Sequence, residues 1–222
     1  MENLNLDPIG LLGGTFDPIH LGHLRLAEEL GEALGLAEVR ILPTGTPPHR
    51  ARPEAGAADR LAMVRLAIAD NPRFVPDEHE THKTAPCYMV DTLSELRAEL
   101  GSERPLILFL GADAFLGLTT WHDWRRLFDL AHLAVAHRPG FDLEAAALPE
   151  PLVRELAKRR TQTATDLHGT PAGRIFHQAT TPLDIAARRI RDLIRSGRSA
   201  RYLVPDAVLD YIERHRLYRK EP

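Results

Sequence analysis

The sequence predicts an α/β fold: a central, mostly parallel sheet of about five or six strands flanked by helices. Residues 1–222 read as a single domain, with a small C-terminal helical portion at about 184–222. Three observations carry this. Short apolar runs alternate with helical segments, and parallel strands need such crossovers. The run "LILFLG" at 106–111 is apolar up to its glycine, as a strand buried on both faces must be. Chain breakers close the strong runs: Gly13-Gly14 after the first, Pro43 after the second, Gly111 after the third.

The elements follow in order. Residues 9–12 form the first strand. At 21–34, Leu24, Ala27, Leu30, Ala33 and Leu34 recur at helical spacing, and Gly35 is placed to end the helix. Residues 39–42 are a second strand, running into a proline-rich loop at 43–53. Residues 59–69 repeat helically through Leu61, Val64 and Ile68, and 74–75 make a short strand. A helix at 89–100 points Val90, Leu93 and Leu96 inward. After the strand at 106–111 come a short helix at 121–130 and a strand at 133–136. Residues 142–160 are charged and helical, with the Pro/Gly-rich 138–151 as the linker candidate. "GRIFH" at 173–177 is a sixth strand, 185–195 a helix with Asp184 as its cap, and 206–215 the last helix.

Composition narrows the function classes. The net charge is −3, and a bulk binder of nucleic acid or of a membrane surface would be basic. The polar start of the chain is unlike a secretory signal, and no apolar run reaches the roughly 20 residues of a membrane span. One cysteine, Cys87, supports neither an internal disulfide nor a cysteine-rich metal site, so a cytoplasmic setting is expected.

The chemistry concentrates in "GGTFDPIHLGH", 13–23. It joins the first strand to the first helix. Gly13-Gly14 permits a sharp turn and close ligand approach, and Thr15 adds a hydroxyl. Pro18 restrains the turn. A helix starting near residue 19 or 20 presents free N–H groups, which favour an anion. His20 and His23, three apart, share one face with Gly22 between them. Two imidazoles there can donate to phosphate oxygens and stabilise charge in phosphoryl transfer. A zinc pair is the competing reading, but no Cys or Glu stands at ligand spacing. "HETH" at 79–82 lacks the zinc-protease spacing, and neither dinucleotide nor P-loop glycine spacing is present.

This stretch resembles the signature of the nucleotidylyltransferase superfamily, whose H-x-G-H element binds ATP phosphates. Further motifs resemble one of its families, the bacterial nicotinate-nucleotide adenylyltransferases, over about 9–218. "PTGTPPHR" at 43–50 is similar to a P-P-H-K-like element, with Arg50 for the lysine. "CYMVDTL" at 87–93 resembles S-Y-T-x-D-T-L; Tyr88, Asp91, Thr92 and Leu93 match, while Cys87 and Met89 replace two hydroxyls. In "LFLGADAFLGLTTWHDW" at 108–124, Asp113 follows the strand end at Gly111, where a carboxylate suits a ribose. Trp121 offers a flat face for a pyridine ring, with a core tryptophan as the other reading, and Trp124 reads as packing. "PLDIAARRIR" at 182–191 resembles I-S-x-T-x-I-R. There Ile185, Ile190 and Arg191 match, but Ala186, Ala187 and Arg188 stand where hydroxyls are usual.

The resemblance implies a Rossmann-like nucleotidylyltransferase fold and adenylyl transfer from ATP to nicotinate mononucleotide, giving deamido-NAD and pyrophosphate. It implies His20 and His23 as catalytic. Gly13, Gly14, Thr15, Phe16, Arg50, Gly111, Asp113, Arg188 and Arg191 would bind ATP. Tyr88, Met89 and Trp121 would bind the nicotinate nucleotide. Mg²⁺ would arrive with ATP rather than in a protein cage. No nucleic-acid or membrane partner is implied. A sister enzyme acting on nicotinamide mononucleotide or another phosphate acceptor, or a nucleotide-binding paralogue with little turnover, are the alternatives.

Overall fold

The computed structural model describes residues 6–46, 52–137 and 148–219. The described strands are β1 (Ile9–Gly14), β2 (Glu38–Pro43), β3 (Phe74–Pro76), β4 (Leu106–Gly111), β5 (His132–His137), β6 (Arg160–Thr161) and β7 (Ile175–Ala179). They form one sheet in the order β3-β2-β1-β4-β5-β7-β6. The pairings β1–β4, β4–β5, β5–β7 and β6–β7 are all parallel. The order reverses at β1: the chain adds β2 and β3 on one side of it and β4 onward on the other. Seven strands exceed the expected five or six because β6, two residues long, has no periodicity to read.

The helices are α1 (Leu21–Ala33), α2 (Ala57–Ile68), α3 (Met89–Leu100), α4 (Ala112–Leu116), α5 (Leu127–Leu130), α6 (Glu150–Arg159), α7 (Thr165–His168), α8 (Ala187–Arg195) and α9 (Asp206–Arg214). The helix expected at 121–130 is instead a 3₁₀ turn, Trp124–Arg126, leading into the four-residue α5. Asp123, at φ +44°, breaks the continuity before it. α8 begins at Ala187 with Ala186 as its cap residue, so Asp184 does not cap it. Most of the expected linker, 138–147, lies outside the described residues.

The chain divides into two compact units, and β1 and β2 contribute to both. The first comprises Met1–Leu12, Ala27–Arg40 and Tyr88–Pro182. Its core includes the buried strands β4 and β5 and Leu93 and Leu96 of α3, which packs on α5. Arg97 ties three segments there by donating to the carbonyls of Leu130, Arg104 and Pro171. Gly10 is required in β1, because a Cβ would sit 2.7 Å from the Phe109 ring. The second unit comprises Gly13–Leu26, Ile41–Cys87 and Leu183–Pro222. α2 packs on α9, with Met63, Val64, Val208 and Ile212 buried, and Ile190 is the buried residue of α8. Among the described residues no helix is long and apolar enough to cross a membrane.

Candidate active site

In the second unit, β1 runs out through Gly13 and Gly14. A Cβ on Gly14 would lie 2.8 Å from the Phe16 ring, so only glycine lets that ring fold back. Phe16 is buried at φ +48°, and the Asp17–Pro18 peptide is cis. His20 immediately precedes α1, and its carbonyl accepts from the N–H groups of His23 (2.9 Å) and Leu24 (3.2 Å). The Leu21 N–H donates to the Leu203 carbonyl at 3.0 Å. The helix start is therefore less open than a free N-terminus, because one of its orphan donors is already filled.

The His20 N–H donates to Nδ1 of His23 at 3.3 Å. The proton of a neutral His23 then sits on Nε2, which becomes a donor. The two rings stack at 3.6 Å, 19° from parallel, and Phe16 meets His23 edge-on at 5.0 Å. Gly22 is what admits the His20 ring, since a Cβ there would lie 3.1 Å from its Nδ1. Burial pushes His20 down to about 4. Burial, then the charge His20 could carry, holds His23 well below its ordinary value. Both imidazoles are neutral near pH 7. His20 Nδ1 is buried with no hydrogen-bond partner among the described residues, which is uncommon for a buried polar atom.

A polar network braces this turn. Asp17 is buried; its carboxylate accepts from the N–H groups of Glu54 (2.9 Å) and Ala55 (3.1 Å) and from the Tyr218 hydroxyl (2.8 Å). Arg191 donates through Nη1 to the Asp17 carbonyl at 2.7 Å and through Nε to Glu54 at 2.8 Å. Nη2 of Arg191 has no partner among the described residues. Arg195 grips the other oxygen of Glu54 at 2.7 Å. Burial opposes ionisation of Glu54, yet hydrogen bonds from Arg191 and Arg195 hold it below the usual carboxylate range. Arg60, 1% exposed, donates to the carbonyls of Thr15 (2.7 Å), Gly45 (3.0 Å) and Ala55 (3.3 Å).

The α8 N-terminus carries no side-chain cap hydrogen bond, as expected where Ala186 and Ala187 replace hydroxyls. Arg188 is 87% exposed, its Nε 4.0 Å from Asp192. The Cys87 thiol is buried against the carbonyls of Ala85 and Glu80. Arg50 lies outside the described residues.

The first unit holds the other expected site residues. Tyr88 caps α3 and Met89 opens it, both half-buried. The N–H groups of Asp91 and Thr92 close on the Tyr88 carbonyl, and the two before them, of Met89 and Val90, have no backbone partner among the described residues. The Tyr88 ring lies 4.4 Å from that of His122. Gly111 caps α4, with open space where a Cβ would stand, and Asp113 is exposed in the first turn of that helix. Trp121 is half-buried, whereas Trp124 is buried against Phe128 with Arg125 over its ring.

Sequence reasoning passed over Asp17, Glu54, Arg60, Arg195, His122 and Tyr218. Only Arg60 left a readable signal. It shares the buried stripe of α2 with Met63, Val64 and Ile68, and a cation on that stripe demands partners.

The chain belongs to the cytidylyltransferase-like family, whose model matches residues 11–193. It is 54% identical over 213 residues to a Dechloromonas aromatica protein named probable nicotinate-nucleotide adenylyltransferase, covering 96% of this chain and 98% of that one. A Halorhodospira halophila protein of the same name is 54% identical over 203 residues, 91% of each chain. The fold is shared with the Plasmodium falciparum nicotinic acid mononucleotide adenylyltransferase solved with NaAD. The match has a TM-score of 0.72 at 16% identity and covers 96% of this chain and 97% of that one.

Proposed function

We propose that the chain transfers the adenylyl group of Mg-ATP to nicotinate mononucleotide, giving deamido-NAD and pyrophosphate. The observation that carries this is the pair of neutral, stacked imidazoles at the β1–α1 turn, one with an unpartnered buried nitrogen. The name shared by relatives 54% identical over nearly the whole chain supports the acceptor.

An oxygen of the mononucleotide phosphate attacks the α-phosphorus of ATP. The bond from that phosphorus to the β-bridging oxygen breaks, and its electron pair leaves with pyrophosphate. No side-chain nucleophile is needed, so the protein contributes position and charge stabilisation. His23 Nε2–H and the His20 ring donate to the phosphate oxygens, beside Gly13, Gly14, Thr15 and Phe16. Arg191, held by Glu54 and Asp17, turns Nη2 toward the leaving pyrophosphate, with Arg188 and Arg50 as the further cations. The α8 N–H groups serve where hydroxyls are absent. Gly111 and Asp113 take the adenylate ribose. Trp121 packs on the pyridine, and the N–H groups opening α3 at Met89, beside Tyr88, meet its carboxylate. Mg²⁺ comes with ATP, whose phosphate oxygens and water suit a hard cation. Among the described residues no cluster of three or more His, Cys, Asp or Glu could hold a metal. The chain acts as a single domain, in the reducing cytoplasm.

The test is pyrophosphate release from Mg-ATP with nicotinate mononucleotide, nicotinamide mononucleotide and phosphopantetheine in separate reactions. Release with the first is expected. Silence with all three would overturn the reading, and preference for the amide would move the acceptor. That second outcome has its own motive, since neither Cys87 nor Met89 offers a hydroxyl to a carboxylate.

A further inference from the structure

The second unit contains a cavity of about 600 Å³ that the proposed reaction does not use. It lies among the end of α8, residues 197–201, α9 and Arg219. Four arginines line it, Arg195, Arg198, Arg201 and Arg219, against one acidic residue, Glu213. Two of the four are committed: Arg201 to Asp206 at 3.2 Å, and Arg195 to Glu54 and Asp192 at 2.7 Å each. Among the described residues the Arg198 guanidinium bonds only the Ser196 hydroxyl, at 3.2 Å, and that of Arg219 has no partner. The floor is apolar, built from Leu209 and Ile212. A chain of net charge −3 has here concentrated positive charge in a concave place.

We propose that this cavity binds a small bisphosphate and that the occupant weakens ATP binding. The two uncommitted guanidinium groups, Arg198 and Arg219, each suit one phosphate, because their forked donors match its oxygens. The overall negative charge disfavours a long polyanion, which would extend beyond the cavity onto a repelling surface.

The coupling runs through Glu54. Its carboxylate is shared between Arg195, which lines the cavity, and Arg191. A phosphate that draws Arg195 away leaves Glu54 to Arg191 alone. Arg191 is then held more firmly on the Glu54 and Asp17 side and gives less to a triphosphate. This direction rests on the proposed role of Arg191; the binding itself does not.

Fructose 1,6-bisphosphate is the probe, with glucose 6-phosphate as the single-phosphate control. Calorimetry on the full chain without substrates should show saturable binding of the bisphosphate, at least about tenfold tighter than the control. The double variant Arg198→Ala/Arg219→Ala should abolish it and keep the wild-type melting temperature and basal kinetics. In the assay, the probe should raise KM for ATP about threefold or more to a plateau, with kcat unchanged. The double variant should lose that effect, and Glu54→Gln should keep binding but lose the plateau. Absence of saturable binding, or binding that survives the double variant, overturns the site. A KM rise that grows without limit and persists in the double variant means competition at the ATP site and overturns the coupling, as does binding without a KM change. If no acceptor supports pyrophosphate release, calorimetry still decides the site by itself.

Discussion

Acid should unfold this protein through individual buried histidines, and the size of the effect follows from their environments. Burial pushes both His20 and His132 down to about 4. His132 is a structural group: its Nδ1 accepts from the Arg174 N–H at 3.0 Å, so Nε2 carries the proton to the Thr170 carbonyl at 2.7 Å. In the unfolded chain each histidine returns to its ordinary value of 6.5. Between 6.5 and about 4 the unfolded state binds the extra proton, so stability rises with pH across that window. The contribution is complete above the window and is lost as pH falls to about 4. At about pH 4.5 the loss amounts to about 2.5 kcal/mol for each histidine. The assay is urea unfolding near pH 8 and near pH 4.5 for wild type, His20→Asn and His132→Asn. Only the difference between the two pH values matters, because each substitution also shifts the baseline. Each variant should lose about 2.5 kcal/mol less than wild type on acidification. Variants with the wild-type pH dependence would refute burial as the cause.

Three other perturbations test the bracing of the site. Arg60→Met leaves the carbonyls of Thr15, Gly45 and Ala55 unpaired, and should cost about 3–5 kcal/mol in chemical unfolding. Gly45→Ala would place a Cβ 2.0 Å from the Glu80 carbonyl oxygen, a backbone clash that should remove about 3 kcal/mol or more, read as a lower melting temperature. His20→Ala should lower kcat by about 10²-fold while the fold persists by circular dichroism; near-normal turnover would take His20 out of its proposed role.

Much of this was legible because the signals are local. Strands β1, β2 and β4 announce themselves as apolar runs closed by breakers, β5 as an apolar run, and α3 by its periodic Val90, Leu93 and Leu96. α7 and β6 are too short to carry a period, and Asp123 at φ +44° interrupts a helix that composition favours. The histidine pair could be read because three-residue spacing and a helix start put the rings on one face.

What the sequence by itself determined is the order of elements, the parallel sheet, and the glycine-rich turn that delivers His20 and His23. These depend on neighbours a few positions away, where spacing fixes geometry. Only the tertiary structure decided what charges those groups carry and what braces them. The depressed histidines need a buried environment, and burial is set by the whole packed unit rather than by any motif. Tyr218 reaches Asp17 across 201 positions, and Glu54 meets Arg191 across 137. No period links such pairs, because folding, and not spacing, brings a hydroxyl to a buried carboxylate that needs it.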